Sequence, residues 1–375
     1  MCEYTFRDGE RCKEEAMPNS KYCVLHVELP EDEESDEFKR INELKEEIVK
    51  EKISKEDFYF DGAKLLEVDF SGMTIEGSLT FANAIIKKDA SFVGAEIGGD
   101  ASFNEAKIGG DAWFNEAKIG GDASFNEAEI GGDASFNEAK IGRDAWFVDA
   151  KIGRDAWFVE AEIGGDASFD EAEIGGGVWF KEAKIGGGVW FKEAKIGGGA
   201  WFVEAEIGRD VSFSLTEIKG VCSFKDAKFK KPQAQEVACR TARKTQERIG
   251  DRVSADYHFY REMEAKRKQK HPIIRVLELP VQYIFGYGVH PWRVITTWLV
   301  TVFVLAFVYW LGHGVVAADS FWGCLYFSIV TAATPGYGGY HPNPGCYQCL
   351  ASFEAIFGTF MWAAFIATFA RKYMR

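Results

Sequence analysis

Two groups of residues have the types and spacing that could do chemistry. Near the N-terminus the chain reads Cys2, nine residues, Cys12, ten residues, Cys23, two residues, His26. Three thiolates and one imidazole suit tetrahedral zinc, and C-x-x-H is the close-spaced half of many structural sites. Near the C-terminus, Thr331-Ala332-Ala333-Thr334-Pro335-Gly336-Tyr337-Gly338 is a polar, glycine-bearing turn between apolar stretches. At membrane depth such backbone is tolerated only where it lines a water-filled path. Successive carbonyls can then face one axis and replace a cation's hydration shell, while glycines supply conformations that L-residues resist. No nucleophile with its base, no phosphate-cradling loop and no histidine pair with catalytic spacing is present, so no enzyme class gains support.

The turn needs a membrane around it. Val294 to Leu311 carries no charged residue and, extended to Val316, is long enough to cross a bilayer of ~30 Å as a helix. Cys349 to Ala370 is a second span with Glu354 as its only charge, and Phe321 to Thr331, apolar but too short to cross, reads as a re-entrant helix running into the turn. No Lys or Arg lies between Arg293 and Arg371, whereas Lys266, Arg267, Lys268, Lys270, Arg275, Arg293, Arg371, Lys372 and Arg375 flank the spans. The positive-inside rule therefore places both termini in the cytoplasm of a multi-pass cell-membrane protein. Trp292, Trp298, Tyr309 and Trp310 fall where interfacial aromatics are expected. Ile273 to Gly288 looks interfacial, and Lys266, Arg267, Lys268 and Lys270 are candidates to meet anionic lipid head groups or simply to mark topology. Outside, Cys346 and Cys349 are read either as a disulfide or as two free thiols.

The rest of the chain is polar and repetitive. The 375 residues include 39 glycines and 31 phenylalanines, far above a typical share, which points to a repeat holding both at fixed positions. Phe70, Phe81, Phe92 and on to Phe224 recur every eleven residues, as do Ile75, Ile86 and on to Ile218. Two glycines in a typical unit, Ile108-Gly109-Gly110-Asp111-Ala112-Trp113-Phe114, exclude a long helix at about 1 kcal/mol each. A β-solenoid with large apolar residues in inward columns remains. If units two apart stack, fifteen Phe positions give about seven coils and a rod of roughly 35 Å. Trp113, Trp157, Trp179 and Trp201 then share one outward column and Trp146 and Trp190 the opposite one, as a contact surface or as simple stacking. The row Glu105, Glu116, Glu127, Glu138 reads as a solvated face. Upstream, residues 31–57 carry twelve acidic and six basic side chains with Phe38, Ile41, Leu44 and Ile48 at helical spacing, an acidic amphipathic helix. Lys+Arg 44 against Asp+Glu 58 gives a net charge of -14, which disfavours nucleic acid as a partner. The mean hydropathy of -0.17 averages over the apolar tail. No apolar run of the kind a cleavable signal needs is expected at the N-terminus, and with Arg375 just behind the second span, cytoplasmic control is expected to arrive from the N-terminal side.

Three resemblances attach to these motifs. The A-x-F-x-x and A-x-I-x-x-x units, such as Ala101 before Phe103 and Ala106 before Ile108, resemble the pentapeptide-repeat family, which implies a right-handed quadrilateral β-helix; the sixth residue in alternate units departs from a strict five. The Cys2, Cys12, Cys23, His26 spacing is similar to the small zinc module of WRC and HRT-type proteins, without their basic surroundings, which implies a structural zinc knob; a redox or metal sensor is the alternative. Span, short helix, T-x-G-Y-G and second span resemble the two-span pore of the potassium-channel superfamily, as found in prokaryotes and archaea. That resemblance implies a homotetramer with potassium ions in a filter of Thr334, Pro335, Gly336, Tyr337 and Gly338. It also implies a bend at Gly358 as the gating hinge and a pore-associated acid at Glu354. Pro335 replaces the usual Val or Ile, Gly339 the usual acid, and Val330 a pore-helix glutamate, which leaves potassium over sodium selectivity open.

The expected organisation is multidomain: a zinc module at 1–27, the acidic helix at 31–57, the β-solenoid at 58–231, a helical connector with an interfacial helix at 232–291, and an α-helical pore domain at 292–375. The expected function is a potassium-permeable cation channel gated or scaffolded by a cytoplasmic solenoid. The alternatives are a weakly selective cation channel, or a membrane-anchored pentapeptide-repeat binding scaffold.

Overall fold

Each eleven-residue unit becomes two two-residue strands separated by tight turns, because Ala and Phe, or Ala and Ile, alternate inward across a single polar residue. The computed structural model describes residues 1–6, 9–333 and 339–373, and divides into two units, Met1–Ala265 and Lys266–Arg375. In the first unit the strands stack at an offset of 22 residues into four parallel sheets of eight, eight, eight and seven strands. That makes about eight coils rather than seven. Lys64–Leu65 and Lys228–Phe229, where Leu65 and Phe229 stand in for the repeat's Ile, also pair into the stack.

The core is two interlocked phenylalanine columns. Phe114, Phe136 and Phe158 stack at centroid separations of 4.8 and 5.0 Å, Phe125 and Phe147 at 4.9 Å, and neighbours from opposite columns meet edge-on, as Phe125 and Phe136 do at 5.5 Å. All are fully buried. Both aromatic geometries are favoured, each worth about 0.5–1.5 kcal/mol beyond area burial. The two-glycine corner has a steric cause: a Cβ on Gly120 would run into the Gly98 carbonyl oxygen of the preceding coil. Aspartates beside this corner form ladders in which Asp133 N–H donates to Asp111 Oδ1 at 2.7 Å and Asp155 N–H to Asp133 Oδ1 at 2.9 Å. Outside, one sheet alternates Lys107, Glu129, Lys151, Glu173, Lys195 and Glu217 across the stack, so the 22-residue register sets opposite charges side by side. The row Glu105 to Glu138 occupies turn positions with φ of 57–58°. Trp157, Trp179 and Trp201 do share a sheet, stacked at 5.0 and 3.8 Å, and Trp146 and Trp190 flank Ser168 on another.

A stack of coils leaves an open strand edge at each end. At the first coil, the 1–30 segment and helix α1 (Asp36–Ser54) cover it: Lys64 N–H donates to the Leu25 carbonyl at 2.8 Å and His26 Nε2 lies 3.0 Å from the Asp61 carbonyl oxygen. Ser35 caps α1 by accepting from the Phe38 N–H. Phe38 and Ile41 are buried as the spacing predicts, but the third buried residue is Lys45, while Leu44 and Ile48 are half-buried. At the last coil, helices α2 (Pro232–Ile249) and α3 (Arg252–Lys268) do the same through side chains. Thr245 Oγ1 accepts from the Cys222 N–H at 2.9 Å, His258 Nε2 from the Phe224 N–H at 3.0 Å, and Arg248 donates to the carbonyls of Ile218, Lys219 and Gly220. Glu262, buried on α3, holds Arg243 of α2 at 2.9 Å.

The second unit contains α4 (Pro272–Leu277), α5 (Leu279–Tyr283), a short turn at Gly286–Gly288, then α6 (Pro291–Leu311), α7 (Phe321–Ala333) and α8 (Cys346–Tyr373). Helices α6 and α8 are long and apolar enough to cross a membrane, with mean hydropathy of 2.2 and 1.6; α7 is apolar but shorter.

His258 makes the C-terminal cap sensitive to acid. To accept from Phe224 N–H, its Nε2 must be unprotonated, with Nδ1–H donating to the Ser254 carbonyl at 2.9 Å. Burial pushes its pKa down to about 4, opposed by the hydrogen bond to the Ser254 carbonyl and reinforced by nearby Arg261, with Asp251 a smaller opposing influence. The unfolded chain titrates near 6.5, so between these values it binds more protons than the folded cap. Cap stability is therefore complete above pH ~6.5 and falls by on the order of 3 kcal/mol as pH drops to about 4. Amide exchange at Phe224 should accelerate over that window, and a His258→Gln variant should show a flatter dependence; a flat wild-type profile contradicts the assignment.

Candidate functional site

In the second unit α6, α7 and α8 are held together at one carboxylate. Glu354, buried on α8, accepts from the Tyr309 hydroxyl of α6 at 2.9 Å and lies against the Ser328 hydroxyl of α7, which is itself 2.9 Å from the Val302 carbonyl oxygen of α6. Tyr309 is thus fully buried, not interfacial as its place near the span's end predicts; Trp292 and Trp310 remain exposed, and Trp298 packs on Trp362 at 5.7 Å. The carboxylate holds the middle of α7 at Ser328, and the helix ends at Ala333. Thr334, Pro335, Gly336, Tyr337 and Gly338 themselves lie outside the described residues. Val330 is buried.

Gly358 lies one helical turn past Glu354, inside the continuous helix α8, and the end of α7 rests on it. A Cβ there would collide with the Ala332 carbonyl oxygen. Glycine at 358 is therefore required by close approach of two helices, whatever bending it also permits. Beyond α6, Val315–Val316 pairs with His341–Pro342, Asn343 N–H donates to the Gly314 carbonyl, and the Tyr347 hydroxyl donates to the Gly312 carbonyl at 3.1 Å. Cys346 and Cys349 are free and exposed. At the other end of α8, Arg371 donates to the Tyr287 carbonyl at 2.9 Å and Lys372 to the Val289 carbonyl at 3.2 Å. That turn holds Gly286, Tyr287 and Gly288 at φ of 51, 53 and 84°, so the end of α8 clamps an unusual backbone just before α6.

The basic cluster is less uniform than its sequence. Arg267 is buried and donates to the Arg275 carbonyl at 3.1 Å, and Lys270 pairs with Glu278 at 2.5 Å. Arg267 therefore does not present its charge to head groups, while Lys266 and Lys268 stay half-exposed. Ile273, Val276, Leu277 and Tyr283 of α4 and α5 are exposed.

Cys2, Cys12, Cys23 and His26 are all buried, with their ligand atoms within 4.8 Å of one another. Cys12 Sγ lies 3.9 Å from Cys23 Sγ, and His26 Nδ1 lies 3.5 Å from Cys2 Sγ and 3.1 Å from Cys23 Sγ. A tetrahedral ion with zinc-like bond lengths needs ligand-to-ligand edges of about 3.5–3.8 Å. The donor set fits. His26 turns Nδ1 inward because Nε2 faces the Asp61 carbonyl, and the Cys23 N–H points at Cys2 Sγ at 3.2 Å. Without a metal, burial pushes the Cys12 thiol up to about 12, raises Cys23 and lowers His26, so metal binding would release protons from the thiols. Lys45 of α1 closes the site from behind, and burial lowers its pKa to about 7. Nothing in the sequence singled it out.

Two family models match the chain. Residues 294–375 match an ion-channel family, and pentapeptide repeats match at 60–107, 103–151, 147–195 and 180–228. The chain is an ion-channel domain joined in sequence to a pentapeptide-repeat solenoid. Both families are non-enzymatic, and ion-channel domains of this kind reside in membranes and typically form oligomers. No curated protein and no solved structure matched.

Two substitutions test the packing of the ion-channel domain. Glu354→Leu leaves the Tyr309 hydroxyl buried without an acceptor and should cost about 1–3 kcal/mol, whereas Glu354→Gln keeps an acceptor and should cost less. Gly358→Ala should lower thermal stability in detergent more than Ala355→Gly, which adds no atoms; equal melting temperatures for wild type and Gly358→Ala would contradict the close approach.

Proposed function

We propose that the protein is a homotetrameric, potassium-permeable cation channel. Thr334, Pro335, Gly336, Tyr337 and Gly338 form the ion filter, with carbonyls from four copies facing one axis. The observation that carries this reading is the pair α7 and Glu354: a short apolar helix, too short to span, is anchored by a buried carboxylate to both long apolar helices and ends at Ala333, directly before Thr334 in sequence. A membrane tether alone would need neither. The ion-channel match over 294–375 supports the same reading. Glu354 acts as a positioning residue behind the filter, and Gly358 serves as contact point and hinge.

In this reading the chain is organised as sequence blocks 1–27, 31–57, 58–231, 232–291 and 292–375, with both termini cytoplasmic. The Cys2, Cys12, Cys23, His26 module holds structural zinc. Lys266, Lys268 and Lys270, with the exposed apolar residues of α4 and α5, lie at an anionic lipid surface. The solenoid biases opening through its tryptophan column.

Thallium or rubidium uptake into liposomes tests conduction. Wild type should load the vesicles, and Gly336→Ala, which disturbs carbonyl orientation, should reduce uptake to background; equal uptake by both would remove the filter assignment. For the regulatory role, replacing Trp157, Trp179 and Trp201 with Ser should change open probability, and unaltered gating would limit the solenoid to scaffolding.

A further inference from the structure

Lys45 is buried to 1% exposure, and its ammonium donates to the carbonyls of Val24, Leu25 and Val27 at 2.5, 3.1 and 2.8 Å. Those three carbonyls use all three of its N–H donors. Its hydrogen bonding is complete, but carbonyls carry no net charge. A buried ion without a countercharge costs several kcal/mol, and among the described residues the hydrogen-bond partners of Lys45 are backbone carbonyls rather than carboxylates.

The carbonyls that Lys45 holds belong to the turn that carries two of the four candidate ligands. Cys23 and His26 bracket Val24 and Leu25, and His26 N–H and Val27 N–H both fold back on the Cys23 carbonyl, at 3.1 and 2.9 Å. In the same turn the Cys23 N–H points at Cys2 Sγ at 3.2 Å.

We infer that Lys45 is the charge-compensating residue of the Cys2, Cys12, Cys23, His26 site, raising its affinity for a divalent cation. Three thiolates and one neutral imidazole around a divalent ion leave one net negative charge, which a single buried ammonium cancels. A monovalent ion in the same donor set would leave two, so the match selects for divalent metals. This rests on the metal-site reading given above, and it adds a residue from outside the cysteine-rich segment. The missing countercharge in the metal-free protein and the surplus anion of the loaded site are two halves of one balance. Loss of such an outer partner typically weakens metal binding by about 10- to 100-fold.

The test uses the full chain purified in detergent, as wild type and as Lys45→Met, which keeps length and removes charge. Zinc affinity is measured by competition with a chromophoric chelator, cobalt(II) absorption reports the thiolate ligands, and melting is followed with and without metal. The inference expects Lys45→Met to bind zinc about 10- to 100-fold more weakly, to retain the cobalt–thiolate bands at saturating metal, and to lose more melting temperature relative to wild type with metal than without it. Equal zinc affinity would overturn it. So would an equal drop in melting temperature with and without metal, because Lys45 would then only hold carbonyls. A wild-type chain that binds neither zinc nor cobalt would instead overturn the metal-site reading itself.

Discussion

Every part of this molecule is shaped by the need of main-chain N–H and C=O groups for partners. Within the solenoid each coil satisfies the next, and the 22-residue offset repeats the bonds from Lys64 to Phe229. At the two ends this supply stops, and side chains take over. Thr245, Arg248 and His258 bind the last coil, while His26 and the Leu25 carbonyl of the N-terminal module bind the first. In the ion-channel domain the same requirement acts in an apolar surround, where a backbone that leaves helix or sheet must either pair within the protein or face water and ions.

This gives the N-terminal module a structural meaning beyond its own fold. Twenty-six residues with three cysteines cannot bury much apolar surface, and burial of His26 and Lys45 works against their charged forms. A metal ion would supply the missing cohesion, and the solenoid edge supplies a docking surface through Asp61 and Lys64. The cap at the other end is of a different kind, built from a helix pair whose buried Glu262 is shared by Arg240 and Arg243.

Much of this was legible in the sequence because the repeat writes each contact many times. The Phe and Ile columns, the tryptophan faces and the stacking of alternate units follow from spacing alone. The coil count fell short because it rests on Phe70 to Phe224 alone, whereas Phe60, Leu65 and Phe229 extend the stack at the coils that meet the caps. Lys45 sits at a helical position where lysine ordinarily reads as solvated, and only the carbonyls of a distant turn explain it. Tyr309 looks interfacial by depth, yet its hydroxyl is committed to Glu354, a pairing of residues 45 apart that no local pattern encodes. His258 and Thr245 were invisible as caps because their partners are backbone amides. The glycine at 358 was noticed as a point of bending, while its contact with Ala332 needed three dimensions.

The central claim is that ions cross the membrane through the Thr334 to Gly338 segment that follows α7. A planar-bilayer recording of the purified full chain, with potassium on one side and sodium on the other, tests it most directly. The account predicts discrete current steps carried by potassium that Gly336→Ala abolishes. A bilayer that stays silent over a wide range of voltages, or currents that Gly336→Ala leaves unchanged, would contradict it.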